Sequence, residues 1–214
     1  MPVRLGISPI GWSNDDLPEL GGDIPLERCL AEARAAGYDG IELGHKFPRD
    51  PPVLRQILER FGLALISGWY SGRLLERSVR AEIAAIEPHS SLLVAMGCTV
   101  LVYAGVDPAA LIRRHVDRIK HVHCKDVRRE VLARVRARDT SFLDAVLEGV
   151  FTVPGDGCID FSGVLVELAA AHYNGWLVVE AEQDPENAPP LAYARLGFAE
   201  LRADATRAGL AMTP

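Results

Sequence analysis

The sequence predicts an α/β protein: a parallel (β/α) barrel, incomplete, with about six strands instead of eight, laid out as a single domain over residues 1–214. Three observations predict it. Short β-rich runs alternate strictly with longer helical stretches, and ionisable residues gather on one face of several of those runs. The chain's 214 residues also fall short of the roughly 250 that a full eight-stranded barrel takes.

The runs at 4–8, 40–43, 63–67, 99–103, 119–125 and 176–182 are rich in β-branched and aliphatic residues and read as strands. Between them, 25–36, 51–61, 79–96, 108–116, 161–171 and 191–207 carry apolar residues at helical spacing. Several of these begin at or just after Pro or Asp, which suits a first helical turn. Three helices end in glycine before the next strand, at Ala36-Gly37, Phe61-Gly62 and Met96-Gly97, where a residue without Cβ relieves the left-handed cap. Strict alternation means parallel strands with right-handed crossovers, hence a β/α barrel or a doubly wound sheet. Neither GxGxxG nor GxxxxGK[ST] follows a strand, which removes the main support for the nucleotide-binding version.

A formal net charge of −6, with no basic block on one element, disfavours nucleic acid and anionic membrane surfaces as partners. No apolar stretch approaches the roughly 20 residues of a spanning helix, and no leader pattern opens the chain, so a cytoplasmic protein is expected. Cys29, Cys98, Cys124 and Cys158 form no CxxC pair, and reduced thiols, mostly buried, are the expectation.

Residues two apart on a strand share a face. In 121–125 that puts His121, His123 and Lys125 on one side and Val122 and Cys124 on the other. In 176–182 Glu180 and Glu182 oppose Leu177, Val179 and Ala181, and in 40–44 Glu42 opposes Ile41 and Leu43. Three strands thus turn an apolar face to packing helices and an ionisable face to the interior, near the C-terminal ends where barrel active sites lie. Buried ionised groups need a metal, mutual pairing or water. A divalent metal on His123 and Glu180 is one reading, with Mn²⁺, Co²⁺ or Mg²⁺ suited to oxygen-rich ligation beside one imidazole. Mutual satisfaction at the rim of a solvated cavity is the other.

The loops past the strands add Trp12, Asn14 and Asp15, then His45 and Lys46, then Trp69, Tyr70 and Arg73. Trp12, Lys46 and Trp69 rank above the others, because an aromatic or a cation at a strand mouth commonly shapes a polar pocket. His89, His115 and His172 fall in outer helical stretches and read as structural. Phe151 to Cys158 is a Pro/Gly-punctuated loop, placed to cover the site or merely to connect.

Six stretches resemble inosose dehydratase, of the xylose isomerase-like TIM barrel superfamily: Gly6 to Leu17, Glu42 to Arg49, Ser67 to Arg73, His121-Val-His-Cys-Lys-Asp126, Phe151 to Gly157 and Trp176 to Asp184. The resemblance covers nearly the whole chain. It implies a lyase of myo-inositol catabolism that eliminates water from 2-keto-myo-inositol by metal-assisted enolisation and loss of the β-hydroxyl. It implies Mn²⁺ or Co²⁺, with glutathione as a further cofactor, and a small cyclitol ketone as partner. The implied roles are metal ligation for His123 and Glu180, catalysis for Glu182, Glu42 and Lys46, and substrate binding for Trp12, Trp69, Tyr70, Arg73 and Lys125.

Members of that family carry two further β/α units, with a His-rich strand and an Asp-Thr-Gly-His motif, where Tyr103-Ala-Gly-Val-Asp107 joins the ends directly here. An internal deletion of about two units after Tyr103 follows, and the ligands on the absent strands have no counterpart. Six strands close narrowly or stay an open crescent with two edges, so dependence on a homo-oligomer, or else marginal stability, is expected. The rival functions are a catalytically inactive truncated relative and a sugar isomerase or epimerase of the same superfamily.

Overall fold

A computed structural model of the chain describes residues 2–70, 79–100 and 119–213. The order of elements is β1 (Arg4–Ile7), α1 (Leu26–Ala36), β2 (Gly40–Leu43), α2 (Pro51–Phe61), β3 (Ala64–Gly68), α3 (Val79–Ala95), β4 (His121–Cys124), β5 (Asp126–Val127), α4 (Arg129–Ala137), α5 (Phe142–Leu147), β6 (Phe151–Thr152), α6 (Phe161–Ala170), β7 (Trp176–Val179) and α7 (Pro190–Arg207). The expected strand at 99–103 extends beyond the described residues, and the expected helix at 108–116 and His115 lie outside them.

The helices start and stop for the reasons the sequence contains. Asp50 accepts from the Val53 amide at 3.1 Å to cap α2, with Pro51 in the first turn. Gly37 (φ 108°) ends α1 and Gly62 (φ 64°) ends α2 in the left-handed conformation, each sending its N–H back to helix carbonyls. Each is followed within three residues by a strand.

Among the described residues five strands form one parallel sheet in the order β3-β2-β1-β7-β4. It is a curled part-barrel, in keeping with a barrel short of its eight strands. The register stacks its concave face in rows: Arg4, Trp176 and His121 align in one, and Gly6, Val178 and His123 in the next. Period two separates the two faces as expected. Leu5, Ile7, Ile41, Leu43, Leu177, Val179 and Cys124 join the main core beneath the helices, whereas Ile66, Trp176 and Val178 form a separate small cluster on the concave side. Burial pushes the Cys124 thiol up to about 12, so on that outer face it stays protonated.

That inner cluster plugs the barrel, and two glycines make room for it. A Cβ at Gly6 would collide with Ile66 Cδ1, and one at Gly40 with Ile66 Cγ2, 3.0 Å from Trp176 Cη2. Arg4 closes the plug from below, its guanidinium 3.8 Å from the centre of the Trp176 ring.

Residues 126–152, to which the periodicity assigned no element, make an excursion from the barrel. β5 and β6 pair antiparallel, and α4 and α5 pack a satellite core of Val135, Ala145 and Val150. Ser141 caps α5 by accepting from the Asp144 amide at 3.2 Å. The Ser141-Phe-Leu-Asp144 spacing is the sequence signal for that helix. Phe151 and Thr152, expected in a loop, are strand. Among the described residues no helix is long and apolar enough to cross a membrane.

Candidate metal and acid–base site

β2 and β4 stand three strand steps apart, about 14 Å in a flat sheet. Curling closes that gap. Glu42, from β2, places Oε1 2.8 Å from Nε2 of His123 and 3.0 Å from Nε2 of His121, both on β4. Ser67 Oγ, from β3, donates to the same oxygen and lies 3.3 Å from His121 Nε2. The irregular register between β2 and β3 turns Ser67 toward Glu42.

On the other side of His123, Nδ1 lies 2.6 Å from Glu180 Oε2. Glu180 Oε1 is 2.7 Å from Lys125 Nζ, which also reaches Glu182 Oε2 at 2.8 Å. The Lys125 ammonium sits 4.5 Å from the centre of the Phe151 ring, so the excursion touches the site through β6. The cluster is therefore an alternating line of charge: Glu42, His123, Glu180, Lys125, Glu182. The carboxylates at its two ends, Glu42 and Glu182, are each 7% exposed at the side chain, and Lys125 is its most open member at 26%.

For Glu42, His123, Glu180 and Lys125 burial favours the neutral form, and the neighbouring charges overrule it. For His123 desolvation lowers the pKa, but Glu42 and Glu180 together raise it to about 10. For Glu42 burial raises the pKa, yet the two imidazoles hold it well below the usual carboxylate range. Glu180 is lowered despite burial by His123 and Lys125, and Lys125 is raised despite burial by Glu180 and Glu182.

Glu42, His121 and His123 form a group that could hold a metal ion, each offering a ligand atom, all within 4.8 Å of one another. Two imidazoles and a carboxylate are a suitable donor set for a divalent ion. Among the described residues the buried Nδ1 of His121 has no hydrogen-bond partner, and the ring is held there at Nε2. Of the pair expected to bind metal, His123 is in this group and Glu180 touches it from behind. Sequence reasoning passed over His121 and Ser67. His121 was legible, since it shares a strand face with His123; Ser67 depends on a bulge and was not.

The remaining candidates separate. Lys46 spends its three N–H donors on the carbonyls of Gly21 (2.7 Å), Gly22 (3.1 Å) and Ile24 (2.6 Å), which ties the loop after β1 to β2 instead of turning the ammonium to the cluster. Trp12 is 1% exposed, and its Nε1 donates to Glu32 on α1 at 2.7 Å. It walls a cavity of about 20 Å³ with Val179 and Tyr193 on the outer face of the sheet, away from the cluster. Asn14 is buried and accepts from the amides of Asp16 and Leu17, while His45 meets Asp15 near the surface. Trp69 is exposed just past β3, and Tyr70 lies 5.8 Å from the ring of His89. Arg73 lies outside the described residues.

Comparison with known proteins agrees with this architecture. The family described as xylose isomerase-like TIM barrel matches residues 103–203. A rhizopine catabolism protein, MocC, of Rhizobium meliloti is 40% identical over 100% of this chain and 92% of its own length. An inosose dehydratase of Geobacillus thermodenitrificans is 35% identical over 90% of this chain and 94% of its own. A solved sugar phosphate isomerase/epimerase of Parabacteroides distasonis superposes with a TM-score of 0.62 at 14% identity, covering 94% of this chain and 98% of that one, and shares the fold. The alignment with the Rhizobium protein runs over 298 positions against the 214 residues of this chain. The surplus is room for about two β/α units of some 30 residues or more. The chain therefore belongs to the inosose dehydratase family of xylose isomerase-like TIM barrels, as a member shortened within the barrel.

Proposed function

We propose that this chain is a hydro-lyase that eliminates water from 2-keto-myo-inositol in myo-inositol catabolism, with a divalent metal ion at the concave face. The observation that carries the reading is the meeting of Glu42, His121, His123 and Glu180 in one partly buried cup. Sequence kinship with proteins bearing the dehydratase name supports it.

When bound, the ion, Mn²⁺ or Co²⁺ in this reading, supplies Lewis acidity that lowers the cost of an enolate. Glu42, a candidate for proton transfer on sequence grounds, goes with the ion here, since both imidazoles already engage its carboxylate. Glu182 would then take the α-proton and pass it to the departing β-hydroxyl, which leaves as water. Its neighbour Lys125 donates a hydrogen bond to a substrate hydroxyl and keeps Glu182 oriented. Trp69 and Tyr70 would border the cyclitol ring, with Arg73 a substrate-binding candidate on the resemblance alone, while Trp12 and Lys46 hold the loop after β1 in place. Glutathione belongs to the same reading as a second cofactor.

The test is turnover of 2-keto-myo-inositol by the purified chain, with Mn²⁺ or Co²⁺ and with or without glutathione. Metal-dependent formation of the trihydroxycyclohexane dione, lost in His123→Ala, is expected. A product isomeric with the substrate, retaining its water, would replace the reading with isomerase or epimerase chemistry. A chain that loads metal but leaves the substrate unchanged would point to the inactive relative.

A further inference from the structure

Lys125 has one N–H left to give a substrate, and what that donor can do depends on where the ammonium is held. We infer that Phe151 is a positioning residue: its ring, brought in by the excursion, holds the Lys125 ammonium between Glu180 and Glu182 and so sets the geometry of the Lys125–Glu182 pair. Its catalytic value rests on the roles proposed above for that pair, whereas the holding itself does not.

Three partners surround one atom. Lys125 Nζ lies 2.7 Å from Glu180 Oε1, 2.8 Å from Glu182 Oε2 and 4.5 Å from the centre of the Phe151 ring. An ammonium has three N–H donors, so two carboxylates leave one. An aromatic ring attracts a cation through its face and adds no competing carboxylate. The four-carbon stem of lysine is flexible, and Lys125 is the most open member of the cluster, so without the ring it is free to swing toward water.

The pairing of the excursion explains why the ring is there. Val127 stands opposite Phe151 in the β5–β6 pair, and Lys125, two residues before Val127, is diagonal to Phe151, a separation that long and aromatic side chains span. Arg128 fixes β6 on either side of the ring, donating to the Gly149 carbonyl at 2.7 Å and to Thr152 Oγ1 at 3.1 Å. Its Nη2 and Nε also grip Asp156 Oδ2, at 2.6 and 3.1 Å. The buried Gln183, next to Glu182, donates to Thr152 Oγ1 at 3.4 Å and so ties β6 to the end of β7. Phe142 backs the Phe151 ring, with centroids 5.7 Å apart. A segment outside the barrel's repeat thus reaches the cluster through a single ring that is anchored on several sides.

The chain contains three lysines, Lys46, Lys120 and Lys125, so lysine labelled with ¹³C gives three sets of side-chain signals, assigned with Lys46→Arg and Lys120→Arg. Relaxation of the Cε carbons in the full chain then reports how firmly each ammonium is held. Lys125 should be rigid, with a nuclear Overhauser contact from its Hε to the Phe151 ring, and the exposed Lys120 mobile. Phe151→Leu should release Lys125 to the mobility of Lys120 and lower kcat on 2-keto-myo-inositol about tenfold or more, with KM within about twofold. Phe151→Tyr, which keeps the ring face, should restore both. Lys46, held by three carbonyls, should stay rigid throughout and report an intact fold. Phe151→Met serves beside Phe151→Leu should the latter fail to fold. Lys125 as mobile as Lys120 in the unmutated chain would overturn the inference whatever the variants do. So would a rigid Lys125 in folded Phe151→Leu, or its release with kcat unchanged. Release in Phe151→Leu and restoration in Phe151→Tyr, without turnover by any chain, would uphold the holding role and remove only the assigned reaction.

Discussion

Nδ1 of His123 lies 2.6 Å from Oε2 of Glu180, across the ring from Glu42, and the two carboxylates together favour the charged imidazole despite its burial. With Glu42 on its other nitrogen, His123 is raised to about 10 against an ordinary value of 6.5. A metal must displace that proton. Its apparent affinity should therefore rise about tenfold per pH unit between pH 6 and 9 and level off near 10. Calorimetric titrations across that range measure the slope, and a flat profile would mean that no proton leaves His123.

The metal-free chain has a stability window of its own. A raised imidazole contributes stability fully present below pH 6.5 and lost as pH climbs through about 10. The lowered Glu42 and Glu180 contribute stability present above their ordinary value near 4.5 and lost as pH falls through their depressed values. Urea unfolding of the apo chain should give its highest free energy between about pH 4.5 and 6.5, falling from there as pH climbs toward 10. A stability still rising from pH 8 to 10 would contradict the assignment of His123⁺.

The barrel plug predicts a selective rescue. Gly6→Ala drives a methyl into Cδ1 of Ile66 and should cost about 1–3 kcal/mol. Ile66→Val removes that carbon and should recover part of the loss in the double variant. Gly40→Ala meets Cγ2 of the same side chain, which valine keeps, so Ile66→Val should not rescue it. Chemical denaturation of the three single and two double variants checks the pattern.

Lys46 offers a sharp division between holding and reacting. Because its ammonium is spent on three carbonyls, Lys46→Met should lower stability by about 1–3 kcal/mol while leaving Co²⁺ affinity unchanged. An unchanged melting temperature with kcat abolished would instead make it a group of the reaction.

A shortened barrel also predicts association. β3 and β4 end the described sheet, and strands that end a parallel sheet invite pairing. Sedimentation velocity should find a dimer at micromolar concentration, and a monodisperse, cooperatively melting monomer would refute the expectation.

The sequence discloses this molecule unevenly, and the reasons are physical. Helix ends at Gly37 and Gly62 and the two faces of residues 121–125 and 176–182 are local properties, set by cap geometry and by the period of a strand. They are legible from a few residues. The contact of Glu42 with His121 and His123 depends on how far the sheet curls across β1 and β7, which no local pattern records. Hence Glu42 reads as a free acid or base in sequence, and His121 as a neighbour of a ligand. The fates of Lys46 and Trp12 depend on carbonyls and a carboxylate brought in by the loop after β1 and by α1. The two-residue strands β5 and β6 are too short for a period-two signal.

In the proposed reaction, side chains from distant strands converge to dehydrate a cyclitol ketone with the help of an ion. The most direct measurement is the ultraviolet absorbance of the enolised dione, followed as the Co²⁺-loaded chain meets 2-keto-myo-inositol. A steady rise, absent without metal and absent in His123→Ala, is the predicted result. A trace indistinguishable from buffer, with cobalt demonstrably bound, would contradict it.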